Sequence, residues 1–204
     1  MKYFFKNFTL LGFFIRLLDI RMKNILIANQ KGGSGKSTLA DLILWEFEKD
    51  GIPASFYDLD GQGGVIHETY ENPDAQVAVI DTPGALQADM SDWIKSADLI
   101  IIPSKTTMLD VKPLQRMIDL VQSADCEKVY VEMMWNRYTT AKSFDEWLIE
   151  ATNKESLIFR IPQSEMMTQA AAVGMSVIDY VPKSNIAQIC REFVVYIEDL
   201  LELK

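Results

Sequence analysis

Residues 23–38 read KNILIANQKGGSGKST, and this stretch decides the fold. Residues 23–29 form a short apolar run rich in branched side chains, the pattern of a buried strand. A glycine-rich turn follows at once. Leu39, Leu42, Ile43 and Phe47 then recur at helical spacing over 37–49, and Gly51 with Pro53 ends that helix. A strand, a glycine-rich loop and a helix in this order bind phosphate, because successive backbone N–H groups and the positive end of the helix converge on one point. Gly32, Gly33 and Gly35, with Ser34 between them, let the backbone approach an anion closely. Lys36 brings positive charge to the β- and γ-phosphates, the Ser37 hydroxyl is placed to coordinate Mg²⁺, and Thr38 completes the motif.

The rest of the chain repeats the alternation of strand and helix. Residues 54–57 (ASFY) lead into Asp58 and 77–80 (VAVI) into Asp81; 99–102 end at Pro103, 128–135 at Asn136, and 157–161 at Pro162. Amphipathic stretches at 109–122, 143–152 and 185–201 lie between or after them. This pattern predicts an α/β fold of the P-loop NTPase type, a mostly parallel twisted sheet with helices on both faces. Ligands of such sheets sit at the carboxyl ends of the strands, so Asp58, Asp81, Asn136 and Pro162 join the phosphate loop in one cluster. A carboxylate at position 81 can hold magnesium directly or through water. Gly84 lets the following backbone move as a γ-phosphate comes and goes.

Lys31 goes beyond the general phosphate-loop pattern and puts two lysines at one site. With it, ANQKGGSGKST (28–38) resembles the deviant Walker A family that includes ParA and MinD, closest to the small plasmid-partition ParA proteins. Residues 58–62 (DLDGQ) resemble that family's switch I, with Gly61 in place of the usual proline before Gln62. Residues 81–84 (DTPG) resemble its Walker B and switch II segment, and Ile101-Ile102-Pro103 with Leu109-Asp110 resemble a later strand and turn. The resemblance covers 22 to about 201. It implies an ATPase using ATP and Mg²⁺, weak alone and stimulated by a partner. In it Lys31 reaches the partner subunit's nucleotide in trans, Asp60 orients the attacking water, Asp58 supports the magnesium shell of Ser37 and Asp81, and Asn136, Arg137 and Pro162 border the adenine. Glycine at 61 loosens the turn that carries Asp60. The resemblance further implies a homodimer when ATP is bound, a ParB-like centromere-binding adaptor, and nonspecific DNA as the surface on which plasmid or chromosome segregation runs. The alternative it leaves is a MinD-like or cargo-positioning ATPase acting on a membrane or protein scaffold.

Composition sets bounds on these roles. A chain of 204 residues, 49% apolar and 24% charged, predicts one ParA-like domain over 22–204. Residues 1–21, crowded with Phe and Leu, read as an N-terminal extension, with Met22 as an alternative start. Their apolar stretch 8–18 is interrupted by Arg16 and falls short of the roughly 18–20 residues of a membrane span. No small-residue cleavage site follows it, so the extension is expected to have little structural role, or to serve as an interfacial anchor or a partner-binding helix. The formal net charge is −9, and the extension carries four basic residues against one acidic, so the domain itself is more acidic still. A protein that coats DNA needs a basic face. Lys105, Lys112, Arg116, Lys142, Lys183 and Arg191 are the candidates for a local patch. The acidic stretch 185–204 suits anionic lipid poorly, so a membrane is not the expected partner. Cys126 and Cys190 are far apart and lack metal-type spacing, which points to buried apolar roles in a reducing cytoplasm, nucleoid-associated if DNA is bound. His67, without triad or metal company, reads as a surface residue. A metabolic ligase on the same fold would need a further catalytic cluster near the loop, and an iron–sulfur reductase would need cysteine ligands; neither pattern is present.

Overall fold

The apolar runs form six strands in a computed structural model that describes residues 22–60, 64–84, 90–153 and 157–203. The expectations for 1–21, Gly61 and Gln62 lie outside the described residues. The strands are β1 (Lys23–Ile27), β2 (Ala54–Asp58), β3 (Val77–Asp81), β4 (Leu99–Lys105), β5 (Glu127–Trp135) and β6 (Leu157–Pro162). They make one sheet in the order β2-β3-β1-β4-β5-β6, and every pairing is parallel. The helices are α1 (Lys36–Lys49), α2 (Met90–Ser96), α3 (Met108–Val121), α4 (Thr139–Ala151), α5 (Glu165–Ala172), α6 (Val177–Tyr180) and α7 (Asn185–Leu201).

Period-two alternation along the strands builds two cores. In β1, Ile25 and Ile27 face one way and Leu26 the other. The first core packs α1, α5, α6 and α7 around Phe47, Phe56 and Phe193; the second packs α2, α3 and α4 around Trp93, Met117 and Phe144. Both faces of the sheet are thus covered, which is why the strands read as continuous apolar runs. The order reverses at β1, which pairs with β3 on one side and β4 on the other. The crevice at that reversal is where such sheets bind ligands, and the loop after β1 opens into it.

Two features differ from the expectation. Helices α2, α5 and α6 were not legible, because four to eight residues are too few to display a helical period. Strand β4 does not stop at Pro103 but continues to Lys105. Ile101 and Pro103 turn their carbonyls toward β1, accepting from the Ala28 N–H (3.0 Å) and the Asn29 side-chain amide (2.7 Å). The β1–β4 ladder ends at Ile101, so the N–H that proline lacks has no strand partner to lose.

Candidate nucleotide-binding site

The loop between β1 and α1 holds the shape that its glycines allow. Gly33 (φ 69°) and Gly35 (φ 105°) lie in the left-handed region, where a side chain would be strained. Gly35 caps α1 with no side-chain bond, which leaves the first N–H groups of the helix available to an anion. Lys36 begins α1 and is only 4% exposed. The Ser37 hydroxyl donates to Asp81 Oδ2 at 2.7 Å.

β2 and β3 end in register, so Asp58 lies beside Asp81. Asp58 Oδ1 accepts from the Asp60 N–H at 2.9 Å, a local turn that fixes the start of the segment beyond β2. Asp81 is buried, and its Oδ1 has no hydrogen-bond partner among the described residues. Burial pushes the Asp81 carboxyl up to about 6, against the pull of the Ser37 bond and Lys36, while Asp58 and Asp60 add to the rise. Burial likewise lowers the Lys36 ammonium, against Asp81 and Asp60, and raises Asp58. An ammonium, a hydroxyl and a buried carboxylate with a free oxygen form a donor set that fits Mg²⁺ and a polyphosphate: oxygen ligands for a hard cation, positive charge for the anion.

Backbone contacts draw the flanking segments onto this loop. A β-carbon placed on Gly84 would lie 2.9 Å from the Gly32 nitrogen, and one on Gly64 would lie 2.9 Å from Ser37 Oγ. The segment around Gly64 is held by Asp41, which is buried on α1 one turn beyond Ser37. The Asp41 carboxylate accepts from the N–H groups of Ile66 (3.0 Å) and His67 (3.1 Å), and lies 2.7 Å from His67 Nδ1. His67 is therefore not the surface residue expected from sequence. It is half-buried, with its ring edge-on to Trp45 at 5.2 Å. Of the two cysteines, Cys190 is buried as expected and Cys126 is only half-buried; both are free.

The second loop lysine is held apart from the first. Lys31 Nζ lies 2.7 Å from Asp110 Oδ1, in the first turn of α3, and Thr107 donates its hydroxyl to the other Asp110 oxygen. The basic patch anticipated from sequence does not assemble. Lys112 and Arg116 lie on α3 and Lys142 on α4, whereas Arg191 lies on α7 and Lys183 just before it, across the sheet. Lys105 belongs to neither group, because it ends β4 beside the phosphate loop. Sequence reasoning missed this place because it ended the strand at Pro103; a lysine closing a buried strand was the available signal.

On the other side of the loop a cavity of about 350 Å³ is lined by Gly33, Ser34, Gly35, Thr38 and Pro162 among others. A second, of about 780 Å³, is lined by Asn136, Arg137, Tyr138 and again Pro162. Gln163 and Glu165 are also common to both, so a trough runs from the phosphate loop to Asn136. Its floor is shaped by an irregularity in the β5–β6 ladder between Met133 and Trp135, with Met134 left-handed (φ 57°) between them. Asn136 is half-buried and its Oδ1 accepts from the Tyr138 N–H (3.0 Å), while Arg137 is exposed. The structure thus brings Asn136 and Arg137 to one end of the trough and Gly33, Ser34, Gly35 and Thr38 to the other, with Pro162 between them.

A family model described as the CobQ/CobB/MinD/ParA nucleotide binding domain matches residues 25–178, from β1 into α6. The chain belongs to this family. Among curated proteins it is similar to Protein ParA of Rhizobium radiobacter, 26% identical over 114 residues, 44% of this chain and 51% of that protein. The chain thus spans about half the length of that curated relative. Among solved structures, the ATP complex of a Cyanothece McdA variant superposes with a TM-score of 0.71 at 17% identity, over 90% of this chain and 97% of that one. The Pyrococcus furiosus cell division ATPase MinD gives 0.68 at 14%, over 88% and 100%. The Mycobacterium smegmatis cobyrinic acid a,c-diamide synthase with bound ADP and magnesium gives 0.62 at 17%, over 87% and 94%. At these identities the structural likeness establishes the fold. The family match establishes a ParA/MinD-type nucleotide-binding domain.

Proposed function

We propose that this domain is an ATP-hydrolysing switch that dimerises on ATP and serves DNA segregation. The observation that carries the reading is the separation of its two loop lysines. Lys36 is buried against the acids of its own site, whereas Lys31, with a third of its side chain exposed, is tied to Asp110 in the first turn of α3. A lysine so placed is suited to a second subunit's nucleotide. Lys36 and the loop N–H groups hold the phosphates, Ser37 and Asp81 with Asp58 behind them hold the cation, and Asp60 places the attacking water in line. Magnesium bound there would supply charge neutralisation to the phosphates. Asn136, Arg137 and Pro162 border the base. Dimerisation by ATP then creates a surface for a ParB-like adaptor, which stimulates a weak intrinsic hydrolysis.

A second reading, a cargo-positioning switch on a protein scaffold in the cytoplasm, is favoured by the net charge of −9 and by the division of the basic side chains between the two faces of the sheet. Among the described residues no helix is long and apolar enough to cross a membrane. Light scattering and DNA anisotropy with ATP, ADP or no nucleotide test both readings. ATP-dependent dimers lost in Lys31→Ala support the switch, and monomers at every nucleotide concentration sink it. DNA binding confined to the ATP dimer and weakened by salt supports segregation; dimers that ignore DNA at low salt favour the scaffold.

A further inference from the structure

Lys105 is the last residue of β4, the strand that flanks β1 and therefore the phosphate loop. A β-carbon placed on Gly33 would lie 3.8 Å from Lys105 Nζ. Lys105 lines the same cavity as Gly33, Ser34, Gly35 and Thr38. It is half-buried, yet no carboxylate pairs with it among the described residues, in contrast to Lys31 and its Asp110. A second observation points the same way. The Ser34 hydroxyl, 1% exposed and lining this cavity, has no hydrogen-bond partner among the described residues. A lysine ammonium beside glycine N–H groups, with an unpartnered hydroxyl on the same cavity wall, is a site for an anion, because a phosphate accepts charge-assisted bonds from all three.

We propose that Lys105 is a phosphate-binding residue: its ammonium binds the polyphosphate of the subunit's own nucleoside di- or triphosphate. This rests on the nucleotide reading of the site. It adds a positive charge that acts in cis in the isolated subunit, before any partner's Lys31 arrives. The strand register fixes the approach, since Lys105 stands opposite Met133, whose side chain lies under Gly35. Nucleotide affinity of the monomer then depends on Lys105, while ATP-driven dimerisation depends on Lys31.

Calorimetric titration of the full chain with Mg·ADP and Mg·ATP tests the assignment, using Lys105→Gln, Lys105→Arg and Lys95→Gln beside the unaltered protein. Losing a charge-assisted bond to phosphate weakens both nucleotides in Lys105→Gln about tenfold or more. Lys105→Arg recovers most of that loss, Lys95→Gln, at an exposed lysine on α2, leaves ADP affinity within about twofold, and the salt dependence of ADP binding becomes shallower in Lys105→Gln alone. Urea unfolding without nucleotide shows the variants folded as the unaltered protein is. Unchanged ADP affinity in a folded Lys105→Gln overturns the assignment and leaves the nucleotide site standing. Failure of the unaltered protein to bind either nucleotide overturns the nucleotide reading itself, and Lys105 with it. If Lys105→Gln unfolds early, Lys105→Met, which keeps the aliphatic stem, gives the same comparison.

Discussion

Replacing Gly84 by alanine tests the contact between the segment after β3 and the phosphate loop. The added β-carbon would meet three backbone atoms: the Gly32 nitrogen at 2.9 Å, the Gly32 Cα at 3.1 Å and the Lys31 carbonyl carbon at 3.3 Å. The nearest falls about 0.5 Å inside ordinary van der Waals contact, and none belongs to a side chain that can rotate away. Overpacking of this kind costs about 1–3 kcal/mol. Gly32→Ala is the internal control, since its β-carbon meets nothing within 4 Å, and it should stay within about 0.5 kcal/mol of the unaltered protein. In urea denaturation, with a slope of about 2 kcal/mol per molar, Gly84→Ala should lower the midpoint by about 0.5–1.5 M. It should also weaken ADP binding, because the loop that cradles phosphate is the part that must move. A Gly84→Ala protein with both midpoint and ADP affinity unchanged would falsify the close approach. Equal losses in Gly32→Ala and Gly84→Ala would show that any substitution near the loop is harmful and that the contact is not the cause.

Glu132 gives a pH dependence away from the loop. It is fully buried within β5, and burial, aided by Asp145 and opposed by Arg160 at 3.2 Å, raises its carboxyl to about 7. The native state keeps a proton that the unfolded chain releases between about 4.5 and 7, so this contribution is full below 4.5 and lost as pH rises through 7. Glu132→Gln cannot titrate, and its stability relative to the unaltered protein should rise by on the order of 2–3 kcal/mol between pH 4.5 and 8, measured by urea unfolding; a constant difference refutes the buried acid. Asp41→Ala removes the acceptor for Ile66, His67 and the His67 ring, and should cost about 1–3 kcal/mol with weaker Mg·nucleotide binding, because the Gly64 backbone on Ser37 is released. His67→Ala keeps the two backbone bonds and should cost less; the reverse order in thermal unfolding counts against the anchoring role.

The sequence by itself determined the layered α/β fold and the phosphate loop, because both depend on local pattern. Residues 23–38 contain strand, glycine loop and helix start within sixteen positions, and phosphate chemistry needs those residue types adjacent in the chain. Asp58 and Asp81 were also legible, since each closes an apolar run and parallel strands deliver such ends to one edge. Tertiary structure alone decided what depends on neighbours distant in the chain. Asp110 claims Lys31 across seventy-nine positions of sequence, Asp41 draws in His67, and the sheet separates basic residues that look like one patch when read along the chain. Lys105 shows the reason most plainly. Whether a strand runs past a proline depends on which neighbouring strand is still pairing there. That is a property of the ladder: β1 stops pairing at Ile101, while β5 goes on pairing with β4 as far as Lys105.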